Sequence, residues 1–133
     1  MLQAQTSQNV VSAVSVSSVQ MVAKNVLDPN QKFTYDPLSL RIYNPSQALC
    51  LKGAGSPGNA YYTSLTFAAC DATDITQQFI LTTSYKIYNP NFPNFESCLN
   101  GGGAHLTSDT CTSDGNEIFN VVITCSPGNI YSV

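Results

Sequence analysis

The chain has 133 residues, a length suited to one domain with a core of its own. Only 10% of its residues are charged, against roughly a quarter in an average soluble domain, and the net charge is -3. That balance excludes the clustered Lys and Arg of a nucleic-acid interface, and no apolar run approaches the ~18 residues of a membrane-spanning helix.

In chain order, Met1-Leu2-Gln3-Ala4-Gln5 shows no basic stretch followed by an apolar one, so a leader is expected to have been removed. The polar surface comes from Ser, Thr, Asn and Gln, a composition common in secreted proteins, and secretion is the expected localisation. Between Asn9 and Val22 the valines fit either a helix or strands; β-branched Val favours the pleated surface, and strands are expected near Val10–Val16 and Val19–Ala23. Strands at Lys32–Tyr35 and Leu40–Tyr43 follow the turn signals Asp28-Pro29-Asn30 and Asp36-Pro37. The same reading gives Ala48–Lys52, Leu65–Cys70, Gln78–Leu81 and Tyr85–Tyr88, then Glu96–Asn100, His105–Asp109, Ile118–Ile123 and Asn129–Ser132. Runs this short, punctuated every ~8–12 residues, predict an all-β domain.

The strands repeat. Asn30-Gln31-Lys32-Phe33, Thr76-Gln77-Gln78-Phe79 and Asn116-Glu117-Ile118-Phe119 share one pattern. Each is followed by an Ile-Tyr pair: Ile42-Tyr43, Ile87-Tyr88 and Ile130-Tyr131. The phenylalanines are 46 and 40 residues apart, so a period near a third of the chain predicts three copies of one unit around a common core. The expected units are 1–45, 46–91 and 92–133 of a single domain, with four strands each. Twelve strands in threefold repetition read as a closed barrel capped by hairpins, a β-trefoil. Phe33, Phe79, Phe119, Ile42, Ile87 and Ile130 are the expected core, and the three tyrosines are expected to be half-buried.

Four of the five cysteines fit the repeat, which pairs Cys50 with Cys70 and Cys98 with Cys111 inside their own units; buried free thiols are the competing reading. Each bridge is worth about 3 kcal/mol on a chain-entropy estimate. Cys125 is left over, and its role is open. With one His and no Cys-x-x-Cys pair, the spacing does not suit zinc, and no metal or cofactor is expected.

These residues resemble the ricin-type (R-type) lectin β-trefoil family. The matching features are Cys50-Leu51 and Cys98-Leu99, the strands closing at Cys70 and Cys111, the Gln-x-Phe or Glu-x-Phe motifs, and the Ile that follows each. The family's Trp is Phe in all three copies, and the first copy lacks cysteine, with Lys24 at the second Cys position. The resemblance implies sugar contacts from an Asp after Cys-Leu, an aromatic ring two residues before the second Cys, and the Asn-Gln of Asn-Gln-x-Trp. In the second unit these positions fall on Lys52, Ala68 and Thr76 with Gln77, so ring and carboxylate are both missing. In the first, Gln20, Val22, Asn30 and Gln31 match in part, with the Asp position unassigned. In the third they fall on Asn100, Asp109, Asn116 and Glu117, which are the candidate carbohydrate-binding residues.

Each of these has a structural reading too. Gln31 and Gln77 are expected to tie a turn to its neighbouring strand, because buried polar groups need partners. Asn116, after Asp114-Gly115, suits turn-shaping as well as ligand contact. Phe92 and Phe95, and Tyr61-Tyr62 after a Gly-rich stretch, are either exposed contact residues or rings folded onto the barrel. Nothing marks a catalytic group: His105 has no Ser or Cys partner at a recognisable spacing. The leading expectation is a secreted, non-enzymatic lectin for a glycan or glycoprotein, without membrane insertion. The alternative is a β-trefoil whose loops bind a protein, as a protease inhibitor does, or an assembly role.

Overall fold

A computed structural model describes residues 1–53, 63–91, 97–121, 124–126 and 130–132. The expectations for Tyr61, Tyr62, Phe92 and Phe95, and for the side chains of Asp109, Cys125, Ile130 and Tyr131, lie outside the described residues. The described chain is all-β, with short strands and three single-turn 3-10 helices. The strands are β1 (Leu2–Ala4), β2 (Val10–Ser12), β3 (Gln20–Val22), β4 (Thr34–Asp36), β5 (Arg41–Asn44), β6 (Leu49–Gly53) and β7 (Thr63–Ala68). They continue as β8 (Ile80–Leu81), β9 (Ile87–Tyr88), β10 (Ser97–Asn100), β11 (Thr107–Thr110), β12 (Phe119–Val121), β13 (Thr124–Ser126) and β14 (Ile130–Ser132). All pairings are antiparallel, in the orders β12-β1-β2-β3 and β13-β14-β4-β5-β6-β7-β11-β10-β9-β8.

Threefold repetition is carried by one turn. Asp28, Asp74 and Asp114 each accept, through Oδ1, the backbone N–H two residues on, at 2.9 Å in every copy. The 3-10 turn that follows ends in Gln31, Gln77 or Glu117, each at most 2% exposed, and two residues later in a buried Phe. Phe33, Phe79 and Phe119 are 0–1% exposed and share the core with Leu51, Leu65, Leu99 and Leu106. Phe67 stacks on Phe33 with ring centres 5.9 Å apart. Successive units are stitched where the Phe79 N–H donates to the Leu40 carbonyl (2.7 Å) and the Phe119 N–H to that of Tyr85 (2.9 Å). Both acceptors lie in hairpin turns and have left-handed backbones, φ 60° at Leu40 and 66° at Tyr85. Disulfides Cys50–Cys70 and Cys98–Cys111 are formed, with Cα atoms 5.1 and 4.9 Å apart.

Two expectations about the strands change. The valine-rich start is strand, but β2 stops at Ser12, and Val14 and Val16 are 58% and 47% exposed in the link to β3. More consequential is how the barrel closes. β12 does not pair with the Ile130 strand but with β1, placing Ala4 opposite Phe119 and Leu2 opposite Val121. β1 also pairs with β2, as β5 does with β6 and β9 with β10. Leu2, fully buried, therefore fills the place that Ile42 and Ile87 fill in the other copies. The reason lies in local spacing. Gln8, two residues before β2, repeats the left-handed turn of Ala48 (φ 60° and 54°), and counting back six residues from each gives Leu2 and Ile42. β13 and β14 form an additional hairpin on the free edge of β4, with Tyr131 opposite Tyr35. Covering that edge removes unpaired backbone groups from solvent.

Candidate functional site

The repeat places the same three outward positions in every copy, and the copies use them differently. In the first, the residue at the family's Asp position is Ser12, 1% exposed, and Asn30 is tied by Oδ1 to Gln47 Nε2 at 2.9 Å. In the second, Lys52 closes on Asp74 at 2.9 Å. The Thr76 hydroxyl and Lys52 together hold the Asp74 carboxyl down at about 2. Both positions are occupied by the protein's own contacts.

The third copy is open. Asn100 ends β10 opposite Thr107 of β11, and its Oδ1 accepts the Gly102 N–H at 2.9 Å. Asn116 sits in the 3-10 turn Gly115–Glu117, held by Asp114 Oδ1, which accepts from its backbone N–H at 2.9 Å and from its Nδ2 at 3.0 Å. The Asn116 carbonyl accepts the Gly101 N–H at 3.0 Å, which docks the turn on the end of β10. Gly102 lies between the two amides. A Cβ there would stand 3.0 Å from the Asn116 amide and 3.1 Å from Asn100 Oδ1, so the missing side chain is what lets them converge. Asn116 Oδ1 is buried and, among the described residues, has no hydrogen-bond partner. Asp109 lies in β11 opposite Cys98; its side chain is outside the described residues.

Glu117 is a correction. It is 1% exposed, with both carboxylate oxygens spent inside the protein. Oε2 accepts the Thr112 N–H (2.7 Å) and lies 3.0 Å from Lys86 Nζ, and Oε1 accepts the Thr112 hydroxyl (2.9 Å). A sugar hydroxyl has no access to it. Its counterparts show the role directly. Gln31 donates to Ala23 O and accepts from Asn25 N; Gln77 donates to Ala69 O and accepts from Asp71 N. Each amide bridges the residues on either side of the second Cys position. A carboxylate only accepts, so in the third copy Lys86 supplies the donor, to Glu117 and to the Thr112 carbonyl.

His105 does have a serine partner, in space rather than in sequence: Ser18 Oγ lies 2.8 Å from Nδ1. The ring is exposed and, among the described residues, no carboxylate orients its other nitrogen, so the pair fastens the link before β3 to the loop before β11. Sequence reasoning missed Asn44 and Asn89, 0% and 4% exposed. Their Nδ2 groups donate to the carbonyls of the 3-10 turns at Lys32 (2.9 Å) and Ile75 (3.0 Å). The twice-used Ile-Tyr-Asn-Pro was their signal.

Comparison with solved structures gives the fold its class. A designed threefold-symmetric protein, ThreeFoil, is similar with a TM-score of 0.71 at 13% identity, over 91% of this chain and 96% of that one. A non-toxic homologue of the type II RIPs from bitter gourd (Momordica charantia), solved with α-methyl-D-galactoside, gives 0.67 at 15% identity, over 85% of this chain and 43% of that one. The agglutinin of Abrus precatorius gives 0.63 at 10% identity, over 84% and 45%. The chain thus spans less than half the length of either plant protein. No family model and no curated protein matches the sequence. The fold is a β-trefoil.

Proposed function

We propose that the protein is a non-enzymatic, secreted lectin that binds one glycan terminus through its third unit. The observation that carries the reading is the convergence of the Asn100 and Asn116 amides over Gly102. A side-chain amide both donates and accepts, as a sugar hydroxyl does, so two neighbouring amides complement a pair of adjacent hydroxyls. Asp109, two residues before Cys111 in the sequence, is the proposed source of a carboxylate. The galactoside bound by the bitter-gourd protein supports a hexose as the ligand class. Glycan-array binding followed by titration calorimetry tests the reading. Asn116→Ala and Asp109→Ala are each expected to weaken binding at least tenfold, and unchanged affinity in both would remove the site.

A second reading rests on the hairpin tips. Leu38 and Tyr85, in the turns after β4 and β8, are 87% and 62% exposed. Apolar groups on a rigid barrel suit a protein partner, and a protease panel with Tyr85→Ser separates this from sugar binding.

A further inference from the structure

The cation position at the start of each hairpin's second strand is spent in one copy and unspent in another. Lys86 is consumed by the Glu117 carboxylate. Arg41 stands at the same place before Ile42, but the residue it would serve is Gln77, whose amide satisfies itself between Ala69 and Asp71. Among the described residues the Arg41 guanidinium has no hydrogen bond and no carboxylate within ion-pair distance.

Strand register sets what surrounds it. Thr34, Tyr43 and Cys50 are consecutive cross-strand partners, and Asp36 is opposite Arg41, so these side chains share the outer face of the sheet. They line a pocket of about 190 Å³ together with Ser39 and the Cys50–Cys70 disulfide. Asp36 is fixed as an acceptor: the Ser39 hydroxyl donates to Oδ2 at 2.5 Å and the Leu38 N–H to Oδ1 at 3.0 Å. The Ser39 bond foremost, with the Leu38 N–H next, keeps its carboxyl below the usual carboxylate range.

We infer that this pocket, where the first unit meets the second, is a further saccharide subsite that takes a single neutral pyranose ring. Tyr43 supplies the aromatic surface that the third unit's register lacks, and rings of that kind pack against the C–H face of a sugar. Arg41 donates and Asp36 accepts, the complement of two adjacent hydroxyls, with the Thr34 hydroxyl beside them. Charge selects against an acidic sugar, because Asp36 stands directly opposite Arg41 and offsets it. Size selects against a long chain. The volume falls below the ~300–1,000 Å³ of pockets for drug-sized ligands, so one ring fills it and affinity is expected near the millimolar range.

The subsite shares no residue with the third unit, so either can fail without the other. The test is an amide NMR titration of the intact protein with the methyl glycosides of galactose, glucose and mannose, and with methyl glucuronoside, each to about 50 mM. Saturable shifts at the amides of Thr34, Arg41 and Tyr43 with a neutral glycoside are expected. They should persist in Asn116→Ala and weaken at least tenfold in Arg41→Gln and in Tyr43→Ser. Shifts confined to Asn100, Gly102 and Asn116 would overturn the subsite while leaving the third-unit site standing. A preference for the glucuronoside would overturn the neutral-ring assignment, and an unchanged Arg41→Gln titration would overturn the role of the guanidinium.

Discussion

The Lys86–Glu117 pair offers the sharpest test of how the repeat is held together. Glu117 is 1% exposed and its partner's side chain 21%, so the carboxylate is dry and the ammonium reaches the rim. Removing one member of a buried pair strands the other, at about 3–5 kcal/mol, while replacing the charge by a group that satisfies itself is close to neutral. Lys86→Ala leaves the Glu117 carboxylate with only Thr112 as donor and is expected to cost about 3 kcal/mol, because water can enter where the lysine stem lay. Glu117→Gln should change stability by less than about 1 kcal/mol. The new amide donates toward the Thr110 carbonyl as Gln31 and Gln77 do toward Ala23 and Ala69, and the ammonium keeps the Thr112 carbonyl as acceptor. The double variant Lys86→Ala/Glu117→Gln should then recover most of the single loss. Urea unfolding with the disulfides intact measures all three, and a non-zero coupling energy is the signature. A Glu117→Gln loss as large as that of Lys86→Ala, or no recovery in the double variant, would show that the carboxylate does more than stand in for an amide.

Leu2→Ala should cost about 2–5 kcal/mol, the range for emptying a buried leucine site, because Leu2 fills the core place beside Phe119; a loss below about 1 kcal/mol would contradict that place. Tyr85→Gly should raise stability by up to about 1 kcal/mol, since φ 66° strains any residue with a Cβ while the ring is 62% exposed and both backbone bonds of the turn are kept; a lower thermal midpoint would contradict this. Asp36, Asp71 and Asp74 have carboxyls held below their unfolded value of 3.8, Asp74 at about 2, so the stability they contribute is complete above pH ~4 and drains away as pH falls toward 2. Asp74→Asn should flatten that acid limb in a pH series of urea midpoints, and an unaltered limb would assign the loss elsewhere.

The trefoil was legible because its anchors recur at the level of residue type: three Phe after a Gln or Glu, and two Cys pairs at matching strand ends. Each Phe is buried and each Cys pair is bridged. The closing strand was not legible, because Leu2-Gln3-Ala4 shares only an apolar first residue with Ile42-Tyr43-Asn44, whereas Ile130-Tyr131 copies the pair by name. What decided the matter was the left-handed turn at Gln8, and glutamine gives no sign of positive φ. Leu40 and Tyr85 hide the same conformation. That Asn100 and Asn116 lie near each other could be read from spacing. Glu117 could not be placed by spacing alone, since burial of a carboxylate depended on a lysine 31 residues away.

Divergence among the copies has a direction. The Asp-capped turn, the buried Phe and the amide or carboxylate behind it are kept three times because each closes backbone bonds that would otherwise be orphaned in the core. The outward positions carry no such duty, and there the copies part: Ser12 is buried, Lys52 is locked to Asp74, and only Asn100 faces a turn residue with an unpartnered oxygen. The same freedom explains the pocket on the other face. Glutamine at position 77 relieves Arg41 of the work that Glu117 demands of Lys86, so one substitution in the framework of the second unit releases a cation on the surface of the first. In a repeat protein of this kind, ligand chemistry is expected where a framework contact has become self-sufficient, and the positions to compare are those whose counterparts are still occupied.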